Sequence, residues 1–328
     1  MLIPLVAIAL GLGVLIWSSE RFVDGAVGTA HHLKLPPFVI GTVIVGVGTS
    51  APEFLVSGLA AWQGQPGLAI GNAYGSNIAN IGLILGTALL LSSMRVGAGI
   101  VRREMMLLVA ATVASRVLIG DGLIGRFDAL LLVVPLIVYL AVIVRQAHRT
   151  PSTDAAASPA DTDASHAGAR GLGRSLFWLT LGLVLLLASS RLLVWGASTI
   201  ATALGVSDLI IGLTIVSIGT SLPELAASIS AIRRKAYDLV LGNVVGSNLF
   251  NTLGVVGFAG LITPIGIEPS VASRDWPVML AMTLLLVVFA MRFGRGPARL
   301  TRLEGAILLS VFVAYTGALI ASALATAG

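Results

Sequence analysis

Ten stretches of mostly apolar residues run through the 328-residue chain, at roughly 2–19, 37–62, 68–92, 104–120, 127–144, 175–190, 209–232, 238–262, 276–291 and 303–325. A helix needs about 20 such residues to cross the hydrocarbon core of a bilayer, so each stretch is a predicted transmembrane helix. Only 11% of the residues are charged, against roughly 25% in a soluble domain. Too little polar surface remains for a water-soluble enzyme. The expected fold class is therefore an all-α integral membrane protein with ten transmembrane helices. The first stretch has neither a basic flank nor a small-residue cleavage site, and it is expected to be a retained helix rather than a signal peptide. Cysteine is absent, which removes disulfides and thiol chemistry.

An internal duplication organises these helices. GTVIVGVGTSAPE at 41–53 aligns with GLTIVSIGTSLPE at 212–224, and GNAYGSNIAN at 71–80 with GNVVGSNLFN at 242–251. Both pairs are separated by 171 residues, and the same offset joins Ser18-Ser19 to Ser189-Ser190, Gly25-Ala26 to Gly196-Ala197 and Arg103 to Arg274. Between the copies lies 148–173, rich in Ala, Ser, Asp, Thr and Pro without apolar periodicity, which reads as a mobile cytoplasmic linker. The predicted domains are a first five-helix repeat over 1–147, that linker, and a second five-helix repeat over 174–328.

Five spans is an odd number, so the second copy must be inverted relative to the first. The basic residues test this separately. With the N-terminus outside, sixteen of the twenty Lys and Arg fall in loops on the inner side, and only Arg116, Arg126, Arg191 and Arg274 fall outside. Inner loops of membrane proteins are enriched in Lys and Arg. Both termini are therefore expected outside, in a bacterial cytoplasmic (inner) membrane. Inverted repeats are the signature of secondary transporters. The basic clusters read as topology signals and as contacts to membrane lipid; neither nucleic acid nor an obligate protein partner is expected.

The chemistry is expected at two acids. Of the fifteen acidic residues, Glu53 and Glu224 are read as lying deep in apolar spans, at matched positions of the repeat. An ionisable group there costs about 2.5–3.5 kcal/mol or more to insert, so it calls for a function. Each closes a Gly-Thr-Ser-x-Pro-Glu run: Gly48, Thr49, Ser50, Pro52 and Glu53, then Gly219, Thr220, Ser221, Pro223 and Glu224. Proline cannot donate to the carbonyl four residues back, which frees the carbonyls of Gly48 and Gly219 and predicts a break into two half-helices. Glutamate then occupies the opening turn of the second half-helix. In the following span Asn72, Ser76 and Asn80, like Asn243, Ser247 and Asn251, recur every four residues and form a polar stripe. For these asparagines, interhelical bonding and ion ligation both remain open. Gly71, Gly75, Gly242 and Gly246 read as packing glycines, and Asn77 and Asn248, off the stripe, as structural. His31 and His32 are placed in a solvated loop.

Every donor collected this way is oxygen. With no His or Cys there, soft metals are disfavoured; with no Lys or Arg, anions are. Hard cations remain. Calcium, which takes six to eight oxygens, and sodium both suit the set, whereas magnesium gives up its water reluctantly. No nucleophile–histidine pair is visible in the spans, so no enzymatic activity and no cofactor are expected.

The doubled motifs resemble the paired alpha-repeats of the cation/calcium exchanger superfamily, most closely its bacterial calcium/sodium antiporters. The resemblance implies an inverted 5+5 fold that exchanges Ca²⁺ for Na⁺, with ions held midway between the halves. Carried over by position, the implied ligands are Thr49, Ser50, Glu53, Ser76 and Asn80, then Thr220, Ser221, Glu224 and Ser247, with backbone carbonyls near Gly46 and Ser217. Position 251, often aspartate in that superfamily, is Asn251 here and joins the candidate set as an amide. The site then has two carboxylates rather than three, which predicts weak or absent coupling of three Na⁺ per Ca²⁺ and keeps a Ca²⁺/H⁺ antiporter as the alternative. A passive cation channel is a more distant one.

Overall fold

In lipid no water satisfies the backbone, so an apolar segment must close its hydrogen bonds internally as a helix. In the computed structural model, residues 2–33, 39–96, 100–149, 171–203, 217–291 and 298–327 are described, and nearly all are helical. The order is α1 (Leu2–Leu33), α2 (Gly46–Thr49), α3 (Ala51–Trp62), α4 (Pro66–Ala79), α5 (Gly86–Leu91), α6 (Ile100–Leu118) and α7 (Arg126–Arg149). It continues with α8 (Leu172–Ala203), α9 (Ser217–Thr220), α10 (Leu222–Arg233), α11 (Tyr237–Leu249), α12 (Val256–Ile262), α13 (Trp276–Ala290) and α14 (Arg302–Ala327). Wider π-helical turns at Ile40–Val45, Asn80–Leu85, Phe250–Val255 and Val271–Asp275 lead into α2, α5, α12 and α13.

Seven continuous helices among the described residues are long and apolar enough to cross a membrane, and the bent pair Ile40–Thr49 with Ala51–Trp62 brings the number to eight. Two of the ten predicted spans fall short of that test. Helix α6 carries Arg102, Arg103, Glu104 and Arg116 within its length, and the start of 209–232 lies outside the described residues, as does most of the predicted linker. At the linker's edges, helix α7 extends to Arg149 and α8 begins at Leu172.

The sequence places the ends of the first and sixth spans too early. Helices α1 and α8 each run for 32 residues, about 48 Å at 1.5 Å per residue, well past the predicted ends at 19 and 190. Arg21 and Arg191 therefore lie within helices rather than in loops, and His31 and His32 form the last turn of α1. Polar residues end a hydropathy window without ending a helix. Arg21 is accommodated over the rings of Trp17 and Trp178, at 5.7 and 5.2 Å.

Glycine lets α1 and α8 pack as an antiparallel pair. A Cβ at Gly25 would sit 2.2 Å from the Leu179 nitrogen, and one at Gly182 would sit 2.6 Å from that of Phe22. Gly11 approaches Ser189, and Gly196 approaches Pro4. Close backbone approach through small residues is how helices associate where lipid removes the hydrophobic drive. Gly71 departs from the packing expectation, since a Cβ there would meet nothing within 4 Å.

Two short antiparallel ribbons were not anticipated. Strand β1 (Met94–Val96) pairs with β4 (Ala298–Leu300), and β2 (Leu123–Ile124) with β3 (Ile265–Gly266). Each joins a connection of one half to a connection of the other. At two or three residues they carry no readable alternation.

Candidate cation site

The break expected at each proline is present. Helix α2 stops at Ser50 (φ −79°, ψ 4°), and α3 starts at Ala51 with Pro52 in its first turn and Glu53 beside it. Ser221 (φ −89°, ψ 2°) separates α9 from α10, whose first turn holds Pro223 and Glu224. The first break bends its helix pair by 45°. Proline is tolerated in an opening turn because its missing N–H would have no partner there. Proline thus restarts the helix and fixes the adjacent glutamate at the break.

Both glutamates are buried, each with 1% of its surface exposed. Contacts cross between the halves in matched pairs. Thr49 Oγ1 donates to Val45 O at 2.9 Å and has Asn243 Oδ1 at 3.3 Å, while Thr220 Oγ1 lies 3.5 Å from Asn72 Oδ1. Asn72 Nδ2 donates to Ser57 Oγ at 2.9 Å and to Glu53 O at 3.3 Å; Asn243 Nδ2 repeats this with Ser228 Oγ at 3.2 Å and Glu224 O at 3.4 Å. Asn72 and Asn243 thus tie each glutamate's backbone to the next helix. Ser50 Oγ donates across the halves to Glu224 Oε1 at 3.2 Å, and Ser76 Oγ to Glu53 Oε1 at 3.4 Å.

The second oxygen of each carboxylate has no hydrogen-bond partner among the described residues; nor do Ser221 Oγ, Ser247 Oγ, Asn80 Oδ1 or either polar atom of Asn251. Asn80 Nδ2 donates to Asn248 Oδ1 at 3.0 Å, so Asn248 belongs to the edge of the polar centre rather than pointing away from it. Asn77 donates to Thr252 Oγ1 at 2.7 Å and bridges the halves. Two carboxylates are too few for a cluster of three or more acid, His or Cys ligands, and none occurs among the described residues. The donors are mostly neutral oxygens.

Carbonyls at the two breaks have different fates. Ser190 Oγ donates to Gly219 O at 2.7 Å, so that oxygen is already engaged. Gly46 O accepts the Ser50 N–H at 3.1 Å.

Sequence reasoning missed other buried acids. Glu104, Asp275 and Glu304 are buried as well. Asp275 accepts from Tyr315 at 2.8 Å and from Arg274 at 2.7 and 3.1 Å, and Tyr139 packs beside Glu104. The readable signal was an Arg-acid pair at 103–104 repeated at 274–275. The π-helical turns that begin at Asn80 and contain Asn251 had no signal, although such turns are frequent at functional sites.

Apolar spans, two restarted helices and a buried centre furnished with oxygen define a polytopic membrane protein with a polar core. The chain belongs to the sodium/calcium exchanger protein family, which it matches over residues 3–145 and 174–321. It is 43% identical to the putative antiporter CaxA of Alkalimonas amylolytica over 96% of this chain and 98% of that one. It is also 30% identical to the sodium/calcium exchanger MaX1 of Methanosarcina acetivorans, over 93% and 95% of the two chains. Among solved structures, the sodium-calcium exchanger NCX_Mj soaked with Na⁺ and Ca²⁺ superposes with a TM-score of 0.83 at 32% identity, covering 96% of this chain and 98% of that one.

Proposed function

We propose that the protein is a secondary antiporter that exchanges Ca²⁺ for Na⁺ by alternating access through two inverted five-helix repeats. The observation that carries this reading is the set of buried oxygens, without a hydrogen-bond partner among the described residues, that both halves share: Glu53 Oε2, Glu224 Oε2, Ser221 Oγ, Ser247 Oγ, Asn80 Oδ1 and Asn251 Oδ1. A buried polar atom without a partner costs about 1–3 kcal/mol, and more when charged. A dehydrated hard cation repays that cost, and six oxygens meet the lower end of calcium's requirement. The hydroxyls of Thr49, Ser50, Ser76 and Thr220, with the carbonyls of Gly46 and Ser217, complete the proposed shell. No Lys, Arg or His occurs in 41–80, 212–232 or 236–262, so nothing within those segments neutralises the acids in advance. Kinship with proteins named sodium/calcium exchanger and antiporter supports the same reading.

Coupling follows from shared ligands. Two carboxylates carry two negative charges, which one Ca²⁺, two Na⁺ or two protons balance. Occupancy by one species excludes the other, and each neutral complex is the form that crosses. Because position 251 is an amide, a third Na⁺ would leave the site positive. The same two-charge site supports Ca²⁺/H⁺ exchange as the second reading. Radioactive-calcium uptake into proteoliposomes under imposed Na⁺ or pH gradients separates them. Uptake driven by Na⁺ is expected; uptake driven only by protons establishes the alternative, and flux that needs no counter-ion overturns both.

A further inference from the structure

The two halves share their motifs but touch the α1/α8 pair differently. Proline 223 leaves Gly219 O without its helical donor, and Ser190 of α8 donates to that oxygen at 2.7 Å. Pro52 does the same to Gly48 O, yet Ser19, the counterpart of Ser190, does not hold it. Ser19 Oγ lies 2.8 Å from Ser230 Oγ on α10 and 2.8 Å from Ile16 O of its own helix. Packing is equally uneven. A Cβ at Gly219 would sit 2.0 Å from Val194 Cγ2 and one at Gly48 2.9 Å from Leu183 Cδ2, so both glycines pack against α8. Exchanging the roles of the halves would put Gly48 against Val23 and Gly219 against Leu12, both on α1. Two near-identical segments held in different arrangements are what one end state of an inverted-repeat carrier requires, and the other end state exchanges them.

We propose that Ser190 and Ser19 are alternating hooks for the two carbonyls that proline sets free. In the conformation described, Ser190 holds Gly219 O; in the oppositely facing one, Ser19 holds Gly48 O and Ser190 lets go. Ser190 acts as a positioning residue, because Gly219 directly precedes Thr220 and Ser221 and a fixed carbonyl orients both hydroxyls. The exchange is not symmetric in energy: the counterpart of Ser230 is Leu59, which offers Ser190 no hydroxyl. The Ser19–Ser230 bond therefore belongs to the described conformer alone. This inference rests on the alternating-access reading.

The chain has no native cysteine, so spin labels placed at Gly173→Cys and Leu91→Cys report the α8-to-core distance cleanly. Pulsed electron–electron distance distributions resolve the two conformers whichever ion is exchanged; a protein that fails to carry calcium but still redistributes would sink only the transport reading. Ser190→Ala and Ser230→Ala each remove a bond made only in the described conformer. Each should raise the ratio of the other conformer by roughly 2- to 10-fold, the worth of one net hydrogen bond, and the pair together by more. On that double background, Ser19→Ala removes the hook of the other conformer and should move the distribution back. A purely structural role predicts no such reversal. Unchanged distributions in both single variants, or Ser19→Ala leaving the double variant as it was or driving it further, would overturn the proposal. Ser230→Ala, remote from Gly219, carries the test if Ser190→Ala does not fold.

Discussion

Glu53 and Glu224 hold their positions because the residue before each is proline. Pro52 and Pro223 restart a helix at each break, and the acid that follows is committed to the first turn, where helical N–H groups lack an intrahelical partner. Neutralising either acid removes half the charge of the proposed site. Glu53→Gln and Glu224→Gln should each lower calcium affinity by roughly 100-fold or more, the scale of taking one partner from a buried charged pair (about 3–5 kcal/mol). Isothermal titration with purified, folded variants checks this, and wild-type affinity in either would remove the acids from the site. Asn251 is fully buried, and neither of its polar atoms has a hydrogen-bond partner among the described residues. Asn251→Asp adds the third negative charge, so Na⁺-driven uptake should become electrogenic, with one net charge per Ca²⁺; a potential-sensitive dye reads this.

At the level of elements, the α1/α8 pair is held by backbone contact at glycines. Gly25→Leu should destabilise the folded protein by roughly 1–3 kcal/mol or more through overpacking, because Leu179 offers backbone and not a movable side-chain end. Thermal unfolding in detergent measures it. Arg233 and Arg234 of the α10 terminus pair with Glu20 and Asp24 of α1 at 3.2 and 2.8 Å, but partly exposed pairs of this kind contribute little. The Tyr315–Asp275 bond matters more, since it links α14 to the turn that opens α13. Tyr315→Phe should cost about 1.5–3 kcal/mol, the worth of a hydrogen bond to a charged group, and leave calcium binding intact. Two π-helical turns carry Asn80 and Asn251, and Gly41 and Gly246 bring a third, Ile40–Val45, against α11: a Cβ at either would lie within 2.8 Å of the opposing backbone.

For the whole molecule, the excess of basic residues in the predicted inner loops leads to a direct expectation. Single cysteines at Leu2 and Ser322 should both react with an impermeant maleimide added outside intact cells; labelling only after permeabilisation would reverse the orientation. Both ends on the outer side require an even number of spans, as the ten-span reading does. The two ribbons join loops of opposite halves at both ends of the sequence register, and the crossed bonds from Ser50 to Glu224 and from Thr49 to Asn243 join the halves at the centre.

Composition, offset and motif were enough to read a membrane protein with a doubled motif, two broken helices and a pair of acids set at the breaks, because proline, glycine and apolar run length act on the chain locally. Tertiary structure alone decided the rest. Whether Arg21 lay in a loop or over two indoles, whether Glu104 and Asp275 were buried, whether Asn248 faced the centre and whether Ser190 or an ion met the Gly219 carbonyl all depend on atoms distant in sequence. A buried polar group is satisfied by whichever partner packing brings to it, and no local pattern names that partner.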